Sequence, residues 1–334
     1  MRWDPFSEDN IEEEIRPLKI LAIGCGGAGC NSIHRLNGLG LEGAETVAVN
    51  TDLRHLQVIQ ADKRLIIGRE ITRGLGAGGD PHTGMVCAYN ASQPLNQILQ
   101  GADLTFITVG MGGGTGTGAA NVVAELAKRH GSLVVTIATT PFEFEGSRMQ
   151  AASEGLRRIE PYSDTLLVVE NDRLLDMVPN LPVKEAFAVM DMLISEIIRG
   201  LIEAITVPSL INLDFADLCS VLREGGISTL LYGENEDPQG VVEDAFNNPL
   251  LDIGLDGAKG ALIHITGGPS MTLRKVNKVI KGITEHFDPD ANIICGARVE
   301  EDCGRNIKVM AVVTGIAEME EEEELQDSLV SYDR

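Results

Sequence analysis

Two glycine-rich clusters are the residues of this sequence most clearly arranged for chemistry. The first, residues 24–31, reads GCGGAGCN, and the second, residues 112–118, reads GGGTGTG. Each follows a short apolar run and precedes helix-like sequence. Because glycine lacks a side chain, the backbone can close around an anion with its N–H groups pointing inward, and a following helix N-terminus favours negative charge. The clusters therefore predict two loops that bind the phosphates of a nucleotide.

The first cluster alone leaves a dinucleotide site open as an alternative. It nearly satisfies G-x-G-x-x-G, and Asp52 lies near the end of the next predicted strand, where a dinucleotide-binding fold places its ribose-binding acid. A nicotinamide-dependent oxidoreductase has one such loop, so it leaves the second cluster unexplained. The pattern G-x-x-x-x-G-K-[ST] does not occur. The phosphates must then be held by backbone amides and hydroxyls, with a metal ion shared with the nucleotide and no dedicated metal site on the protein.

Two further pairs of side chains have spacings that suit nucleotide chemistry. Phe187 and Asp191 are four residues apart in a helical segment and share one face, so an aromatic ring that can stack on a base lies beside a carboxylate that can accept from N–H groups. Asp214 and Asp217, three apart, present two carboxylates on one face, as water activation or cation coordination requires. The same two residues also suit a helix entry, with Asp214 as a cap.

The composition limits the classes of protein to be considered. The formal net charge is −23 without a compensating basic patch, so nucleic acid and anionic membranes are not expected partners. No run approaches the roughly 20 apolar residues of a membrane span. The N-terminus is polar and acidic rather than signal-like, which favours a cytosolic protein. The six cysteines form no C-x-x-C pair and are expected to be buried and reduced.

The order of apolar runs predicts an α/β architecture. Short β-rich runs alternate with helical segments up to residue 170, which is typical of a mostly parallel sheet covered on both faces. A long helix follows, with apolar residues on more than one face, and a smaller α+β domain comes after it. The predicted divisions are an acidic extension 1–17, a nucleotide-binding domain 18–182, a central helix 183–207, a C-terminal domain 208–316, and a disordered acidic tail 317–334.

The string GMGGGTGTGAANVVAELAK resembles the tubulin-type signature of the FtsZ family, the prokaryotic cell-division GTPases. The resemblance runs from Leu18 to Ile316, and the short segment after it suggests an archaeal member. Further strings match in family order: AVNTD (48–52), GLGAGGDP (74–81), PFEFEG (141–146), ENDRLL (170–175) and INLDFADL (211–218). The resemblance implies a tubulin-type GTPase domain, a long central helix, and GTP or GDP with Mg²⁺ as ligands.

Carried over to this sequence, the family pattern assigns residues to each part of the nucleotide. The resemblance implies phosphate contacts from the glycine loops, ribose contacts from Glu145 and Arg148, and base recognition by Asn171, Phe187 and Asp191. Cys30 stands where many relatives have Asn or Gly, and one residue fewer separates Glu145 from Arg148 than in most relatives. The loop residues are Gly27, Ala28, Gly29, Asn31, Asn50, Ala77, Gly78, Gly79, Gly114, Thr115, Gly116 and Thr117.

The resemblance also implies an active site divided between subunits. One subunit would bind GTP, and the next would insert Asp214 and Asp217, oriented by Asn212, to position the attacking water. Such a head-to-tail contact generates an open filament. The implied role is an assembly-activated GTPase recruited to a midcell division ring, with a membrane-tether or adaptor partner that could bind the C-terminal tail. A cytoskeletal GTPase for cell shape or plasmid movement, and a GTP-binding scaffold without hydrolysis, stay open as alternatives.

Overall fold

The computed structural model describes residues 16–207, 211, 213–223, 227–247, 255 and 257–316. Its strands form one ten-stranded sheet in the order β3-β2-β1-β4-β5-β6-β7-β10-β8-β9. The strands are β1 Ile20–Cys25, β2 Glu45–Asn50, β3 Lys63–Ile66, β4 Leu104–Gly110, β5 Leu133–Thr140, β6 Thr165–Glu170, β7 Ile227–Asn235, β8 Gly260–Gly267, β9 Asn292–Val299 and β10 Ile307–Thr314.

Helices cover both faces of this sheet. They are α1 Gly26–Gly38, α2 Leu53–Val58, α3 Arg69–Thr72, α4 Pro81–Asn90, α5 Ser92–Leu99, α6 Gly114–Arg129, α7 Ser147–Ile159, α8 Arg173–Met177, α9 Val183–Thr206, α10 Phe215–Leu222, α11 Pro238–Phe246 and α12 Leu273–Ile283. Short 3₁₀ turns occur at Glu143–Glu145, Glu160–Tyr162 and Glu301–Cys303. None of the helices in these described ranges is long and apolar enough to cross a lipid bilayer.

The first six strands are parallel. The central strands β1, β4 and β5 are buried on both faces, whereas the edge strand β3 is partly exposed. In β1, Ile20 and Ala22 pack into one hydrophobic core, whereas Leu21 and Ile23 pack into the other. This alternation is the period-2 geometry of a strand, and apolar residues at successive positions are what a doubly covered parallel sheet requires. The predicted mostly parallel sheet is therefore confirmed.

The C-terminal strands continue the sheet with a different pattern. Among the described residues, β7 pairs with β6 in parallel at Leu166–Ile227 and Leu167–Ser228. β10 then lies antiparallel to both β7 and β8, and β9 runs parallel to β8. The sequence predicts a smaller α+β region after the long helix, and strands β7 to β10 with helices α11 and α12 confirm it.

Helix α9 runs between the two parts of the sheet. It has 24 residues, about 36 Å at 1.5 Å per residue. Its buried residues Ile194, Ile197 and Leu201 share one core with β-strand residues of the N-terminal part and with Leu230 and Met310 of the C-terminal part. The predicted long helix, buried between two layers, is therefore confirmed, and the exact domain divisions stay a prediction.

Two predicted helix starts were wrong. From helix propensity, the sequence predicts that the helices after the two glycine clusters begin at Asn31 and at about Ala119, but α1 begins at Gly26 and α6 at Gly114. Glycine is a poor helix former, so the pattern favoured loops there. The clusters instead form the first helical turns, because each strand passes into its helix with almost no connecting loop. Much of the acidic N-terminal extension and all of the tail 317–334 lie outside the described residues.

The cysteines agree only in part with the prediction. All six are free thiols, and Cys25, Cys30 and Cys87 are buried. Cys219, Cys295 and Cys303 are half-buried, and the first two pack against hydrophobic cores without being enclosed by them. Burial raises the pKa of the Cys295 thiol to about 11, so that thiol is un-ionised at neutral pH.

Candidate nucleotide-binding site

A cleft lies at the carboxyl ends of the parallel strands, the edge at which open α/β sheets bind ligands. It consists of two adjoining compartments, of about 610 Å³ and about 440 Å³. Ala28, Gly110, Thr139, Asn171 and Phe187 line both compartments, so the two are continuous. We call them the phosphate compartment, which contains the glycine loops, and the base compartment, which lies against α9.

The phosphate compartment receives two helix N-termini. Within the described part of the chain, no side chain caps α1 at Cys25 or α6 at Gly113. The first-turn N–H groups of both helices are therefore available to a ligand, and the two helix dipoles favour negative charge in the same space. This arrangement can hold a chain of phosphates without a lysine.

Close backbone contacts explain why the loops contain glycine. Gly26 has φ +74°, and a Cβ placed there would lie 2.6 Å from the backbone nitrogen of Gly116. A Cβ on Gly114 would lie 2.7 Å from the backbone nitrogen of Asp80. The two phosphate loops and the loop before α4 thus touch one another through their backbones, and larger residues would separate them.

A polar network forms one wall of the phosphate compartment. The Thr51 and Thr115 hydroxyls are 2.5 Å apart, which joins the loop after β2 to α6. His55 lies between two amides, with Nε2 2.9 Å from Asn31 Oδ1 and Nδ1 3.1 Å from Asn50 Nδ2. A neutral imidazole with hydrogen on Nε2 satisfies both contacts. Sequence reasoning missed His55, whose position depends on the turn of α2.

Asp52, the acid that suggested a dinucleotide site, has another role. Its carboxylate caps α2 by accepting from the backbone N–H groups of Arg54 and His55. Its position beside the cleft is therefore explained by helix capping.

The base compartment combines an aromatic ring and a carboxylate. Phe187 is 39% exposed and meets Phe142 edge to face, with 5.7 Å between ring centroids. The hydroxyl of Ser32 donates to Asp191 Oδ1 over 3.0 Å. Burial raises the pKa of Asp191, against the lowering effects of this hydrogen bond and of the Arg35 charge. A partly dry carboxylate of this kind binds ligand N–H donors strongly.

The rim between the compartments carries an ion pair. Arg148 Nη1 lies 2.5 Å from Glu145 Oε2, and Glu145 Oε1 accepts from the Phe142 N–H at 3.2 Å. Glu145 is thus held in place by the backbone, whereas the Arg148 side chain is 63% exposed. Both residues line the phosphate compartment and can reach polar groups of a ligand placed between the compartments.

Most of the predicted ligand residues surround this one cleft. Ala77 and Gly78 are in the same loop as the lining residues Gly76 and Gly79. The Thr117 side chain lines a different cavity, because two residues along a helix turn by about 200° and so place it opposite Thr115. The predicted residues that line the cleft are Gly27, Ala28, Gly29, Asn31, Asn50, Gly79, Gly114, Thr115, Gly116, Glu145, Arg148, Asn171, Phe187 and Asp191.

Asp214 and Asp217 lie apart from the cleft, at the start of α10. Asp214 Oδ1 accepts from the Asp217 N–H at 2.7 Å, and Asp217 Oδ2 accepts from the Asp214 N–H at 3.3 Å. This reciprocal capping box confirms the helix-entry interpretation. Leu213, just before it, is buried and lies against Gly296 of β9. Asn212, the third predicted catalytic residue, lies outside the described residues.

The fold and the cleft define a class: a nucleotide-binding protein of the tubulin type, in which two helices that begin with glycine point their N-termini into one cleft. The family model "Tubulin/FtsZ family, GTPase domain" matches residues 19–179, and "FtsZ family, C-terminal domain" matches residues 226–317. The chain belongs to the FtsZ family and carries its GTPase domain. The family match excludes the nicotinamide alternative.

Archaeal proteins are among the similar sequences and structures. Cell division protein FtsZ 2 of Methanocaldococcus jannaschii is 49% identical over 312 residues, which cover 92% of this chain and 82% of that protein. The protein of the same name from Halobacterium salinarum is 47% identical over 323 residues, with the same coverage. A solved structure, an empty FtsZ dimer from M. jannaschii, superposes with a TM-score of 0.87 at 43% identity, covering 94% of this chain and 93% of that one.

Proposed function

We propose that this chain binds GTP in the cleft, polymerises head to tail, and hydrolyses the nucleotide between subunits during cell division. The observation that carries the proposal is the convergence of two uncapped helix N-termini on one compartment, which continues into a second compartment beside Phe187 and Asp191. The anion site suits a di- or triphosphate, and the second compartment suits a base. The relatives are named cell division proteins, which supports the cellular role.

Guanine specificity would come from the base compartment. The Asp191 carboxylate would accept from N1–H and the exocyclic amine of guanine, a donor pair that adenine does not present in that position. Phe187 would stack on the purine, and Asn171, which lines both compartments, would contact the polar edge of the base. Ser32 holds the carboxylate in its orientation before the base binds.

Mg²⁺ would be held mainly by the phosphates. Within the described residues, no group of three or more His, Cys, Asp or Glu side chains is placed to hold a metal ion. The Thr115 hydroxyl lines the phosphate compartment and is an oxygen donor of the kind that Mg²⁺ prefers. Bound there, the ion would neutralise charge on the phosphate oxygens during transfer to water.

Hydrolysis would require a second subunit, because Asp214 and Asp217 lie apart from the cleft of their own chain. Placed against the phosphate compartment of a neighbour, their carboxylates would orient and activate the attacking water, with Asn212 beside them. The solved M. jannaschii relative is described as a dimer, which supports self-association. A contact between two different faces repeats indefinitely and produces a filament.

We also propose a partner other than the neighbouring subunit. The acidic tail 317–334 would bind a membrane-tether or adaptor protein, which recruits the filaments to the division site at midcell. A short segment that folds on its partner can bind it specifically, although the loss of entropy on folding lowers the affinity. Among the described helices, none is long and apolar enough to cross a membrane.

GTP turnover measured against protein concentration tests the shared active site. We expect turnover per subunit to be low below a threshold concentration and to rise steeply above it, in step with polymer detected by light scattering or sedimentation. GDP should support binding without polymer. Turnover per subunit that stays constant from well below to well above the polymerisation threshold would contradict the proposal, and so would GTP binding without phosphate release at every concentration.

A further inference from the structure

Helix α12 carries a row of positive charge on an otherwise acidic chain. Arg274, Lys278 and Lys281 are four and three residues apart, so their side chains share one face of the helix. All three are exposed, whereas Val279 and Ile283 are buried on the opposite face. We call these three cations the basic stripe. The stripe therefore faces solvent, away from the core of the C-terminal part.

The basic stripe stands out against the composition of the chain. The formal net charge is −23, yet residues 273–283 contain four of the 27 Lys and Arg residues and no Asp or Glu. Within the described residues, none of these four cations forms an ion pair, whereas Arg298 of β9 pairs with Glu203. Like charges three and four residues apart on a helix repel one another, so an anionic partner would stabilise α12. Sequence reasoning missed the stripe, because apolar residues separate its cations along the chain.

The described chain ends close to one end of this helix. Ile316 belongs to the hydrophobic core that includes the buried residues of α12, so the chain leaves on the face of the sheet that α12 covers. The Thr314 carbonyl accepts from the Lys259 N–H. The adjacent Ala258 carbonyl accepts from the Asp288 N–H, in the connection that follows α12. The tail 317–334 therefore begins beside the C-terminal end of α12.

The tail has the charge and the length to cover the basic stripe. Residues 317–334 contain eight Asp or Glu and one basic residue, and six of the acids lie within 318–324. This acidic run begins two residues after the last described residue. Seven extended residues span about 23 Å, whereas the 11 residues of α12 span about 16 Å. The acidic run can therefore extend along the whole helix.

We propose that the acidic run 318–324 docks on the basic stripe of its own chain. It meets Lys281 first and Arg274 last, so it runs antiparallel to α12, and its carboxylates accept hydrogen bonds from the three cations. Single exposed ion pairs are weak, but several act together here, and the tether holds the tail at a high local concentration. The tether also favours the helix of the same chain over that of a neighbour.

Docking regulates access to the tail. A protein that binds the tail must displace the acidic run from α12, so its apparent affinity is reduced in proportion to the fraction of chains whose tail is undocked. This consequence rests on the proposed binding of an adaptor to the tail. The docking itself depends neither on an adaptor nor on the nucleotide or the filament, so its test is independent of the proposed function.

Zero-length cross-linking of the full chain tests the contact. A carbodiimide joins a lysine amine to a carboxylate only where the two groups touch. In a mixture of isotope-labelled and unlabelled chains at low salt, we expect Lys278 and Lys281 to cross-link to residues 318–324 of the same chain. Lys184, exposed at the start of α9, should cross-link to the tail with about fivefold lower yield. Equal yields at Lys184 and Lys278 would overturn the proposal, as would tail cross-links that join only different chains.

Matched charge reversals locate the contact. Lys278→Glu and Lys184→Glu each replace an exposed lysine and change the net charge equally. A protease that cleaves after Glu should cut the acidic run about fivefold faster in Lys278→Glu than in the unchanged protein, because the run is released from α12. Lys184→Glu should leave the rate unchanged. Equal cleavage rates in all three proteins would overturn the proposal.

An anionic membrane is the other occupant to be tested, because a basic stripe also suits lipid headgroups. The probe is a vesicle of phosphatidylglycerol and phosphatidylcholine. If the stripe is covered by the tail, the full chain should not sediment with these vesicles at low salt. Sedimentation that is lost in Lys278→Glu and retained in Lys184→Glu would assign the stripe to a lipid surface and overturn the docking.

Discussion

The glycine at the start of α1 touches the glycine in the first turn of α6: a Cβ on Gly26 would lie 2.6 Å from the backbone nitrogen and 2.7 Å from Cα of Gly116. The two phosphate loops are therefore a single packed unit rather than two independent anion sites. Gly27, the next residue, has open space around its Cβ position within the described chain and lines the phosphate compartment. Gly26 therefore allows the two helix starts to pack together, whereas Gly27 leaves room for a ligand.

The first prediction separates these two roles. Gly26→Ala should lower the free energy of unfolding by about 2 kcal/mol or more, because alanine is strained at φ +74° and its methyl group overlaps the Gly116 backbone. Gly27→Ala should leave the thermal midpoint of the ligand-free protein unchanged. The same variant should lower the affinity for GTP at least tenfold, about 1.4 kcal/mol, because the methyl group occupies space that the phosphates need. Differential scanning calorimetry and nucleotide titration measure the two effects, and equal effects of both variants would contradict the assignment.

The second prediction concerns Asp191. Asp191→Asn replaces an acceptor by a group that also donates, so GTP affinity should fall about 100-fold, near 3 kcal/mol. Xanthosine triphosphate, which has a carbonyl in place of the exocyclic amine, should bind the variant better than the unchanged protein. Asparagine can still accept from Ser32, and burial disfavours the ionised form of Asp191, so stability without nucleotide should not fall. Competition titration measures both affinities, and an unchanged GTP-to-XTP preference would count against base contact by Asp191.

The third prediction separates capping from catalysis at Asp214. Asn caps helices as well as Asp does, whereas Ala does not. Asp214→Asn and Asp214→Ala should both reduce polymer-stage GTP turnover at least 100-fold and leave GTP affinity nearly unchanged, but only the alanine variant should lose about 1 kcal/mol of stability. Phosphate release and thermal unfolding check the two effects.

A matched control exists at another helix start in the C-terminal part. Asp237 caps α11 by accepting from the Gln239 and Gly240 N–H groups, in the same way that Asp214 caps α10. Asp237→Asn should leave turnover unchanged. If Asp214→Asn retains full turnover, or if both Asn variants lose it, the proposed role of Asp214 is wrong.

The fourth prediction is a pH dependence from His264. Burial, helped by the Arg298 charge and opposed by Glu300, lowers the pKa of His264 to about 4. The unfolded chain therefore binds more protons between about pH 6.5 and pH 4, so stability falls as pH falls through that window. Between pH 7.5 and 5.5, which stays above the isoelectric point of about 4.6, His264 should contribute a loss of about 1 kcal/mol.

Urea unfolding at several pH values measures this loss. His264→Gln should flatten the slope of stability against pH in that range, whereas His130→Gln, at an exposed position after α6, should not. A slope that is the same in the unchanged protein and in His264→Gln would contradict the assigned cause. The effect should appear without nucleotide, because His264 lies in β8, in the C-terminal part of the sheet.

Most of the strands were predictable because they are compact apolar runs with β-branched residues, bounded by glycine or polar residues. β3 is an exception, because its first two residues are Lys63 and Arg64. Helix α4 was not singled out, because its sequence mixes small and polar residues without a clear apolar stripe. Helix α7 was not singled out either, because its buried face includes the small residues Ala152 and Gly155. The early starts of α1 and α6 could not be read from helix propensity. They follow from the sheet, which brings each strand directly into a helix at the cleft.

The outline of the candidate site was predictable, but its internal contacts were not. The family resemblance pointed to Phe187 and Asp191, and helical spacing explains why the two side chains share one face. The Ser32–Asp191 hydrogen bond joins residues 159 positions apart, so only the fold reveals it. The opposite orientations of Thr115 and Thr117 could have been derived from helix geometry, since 3.6 residues per turn places them on different sides. The prediction assigned all four residues 114–117 to the phosphates and did not separate the two threonines.

The reciprocal capping of α10 has a consequence for which inactive subunits can join a filament. Asp214 and Asp217 hold each other's backbone, so most substitutions at either position would loosen the start of α10, a surface that the proposed split site presents to the next subunit. A subunit unable to hydrolyse would then also be a poor building block. Only replacement by another good capping residue escapes this coupling. The helix cap would thereby exclude most subunits that cannot hydrolyse GTP from the filament, where they would otherwise prevent turnover at their interfaces.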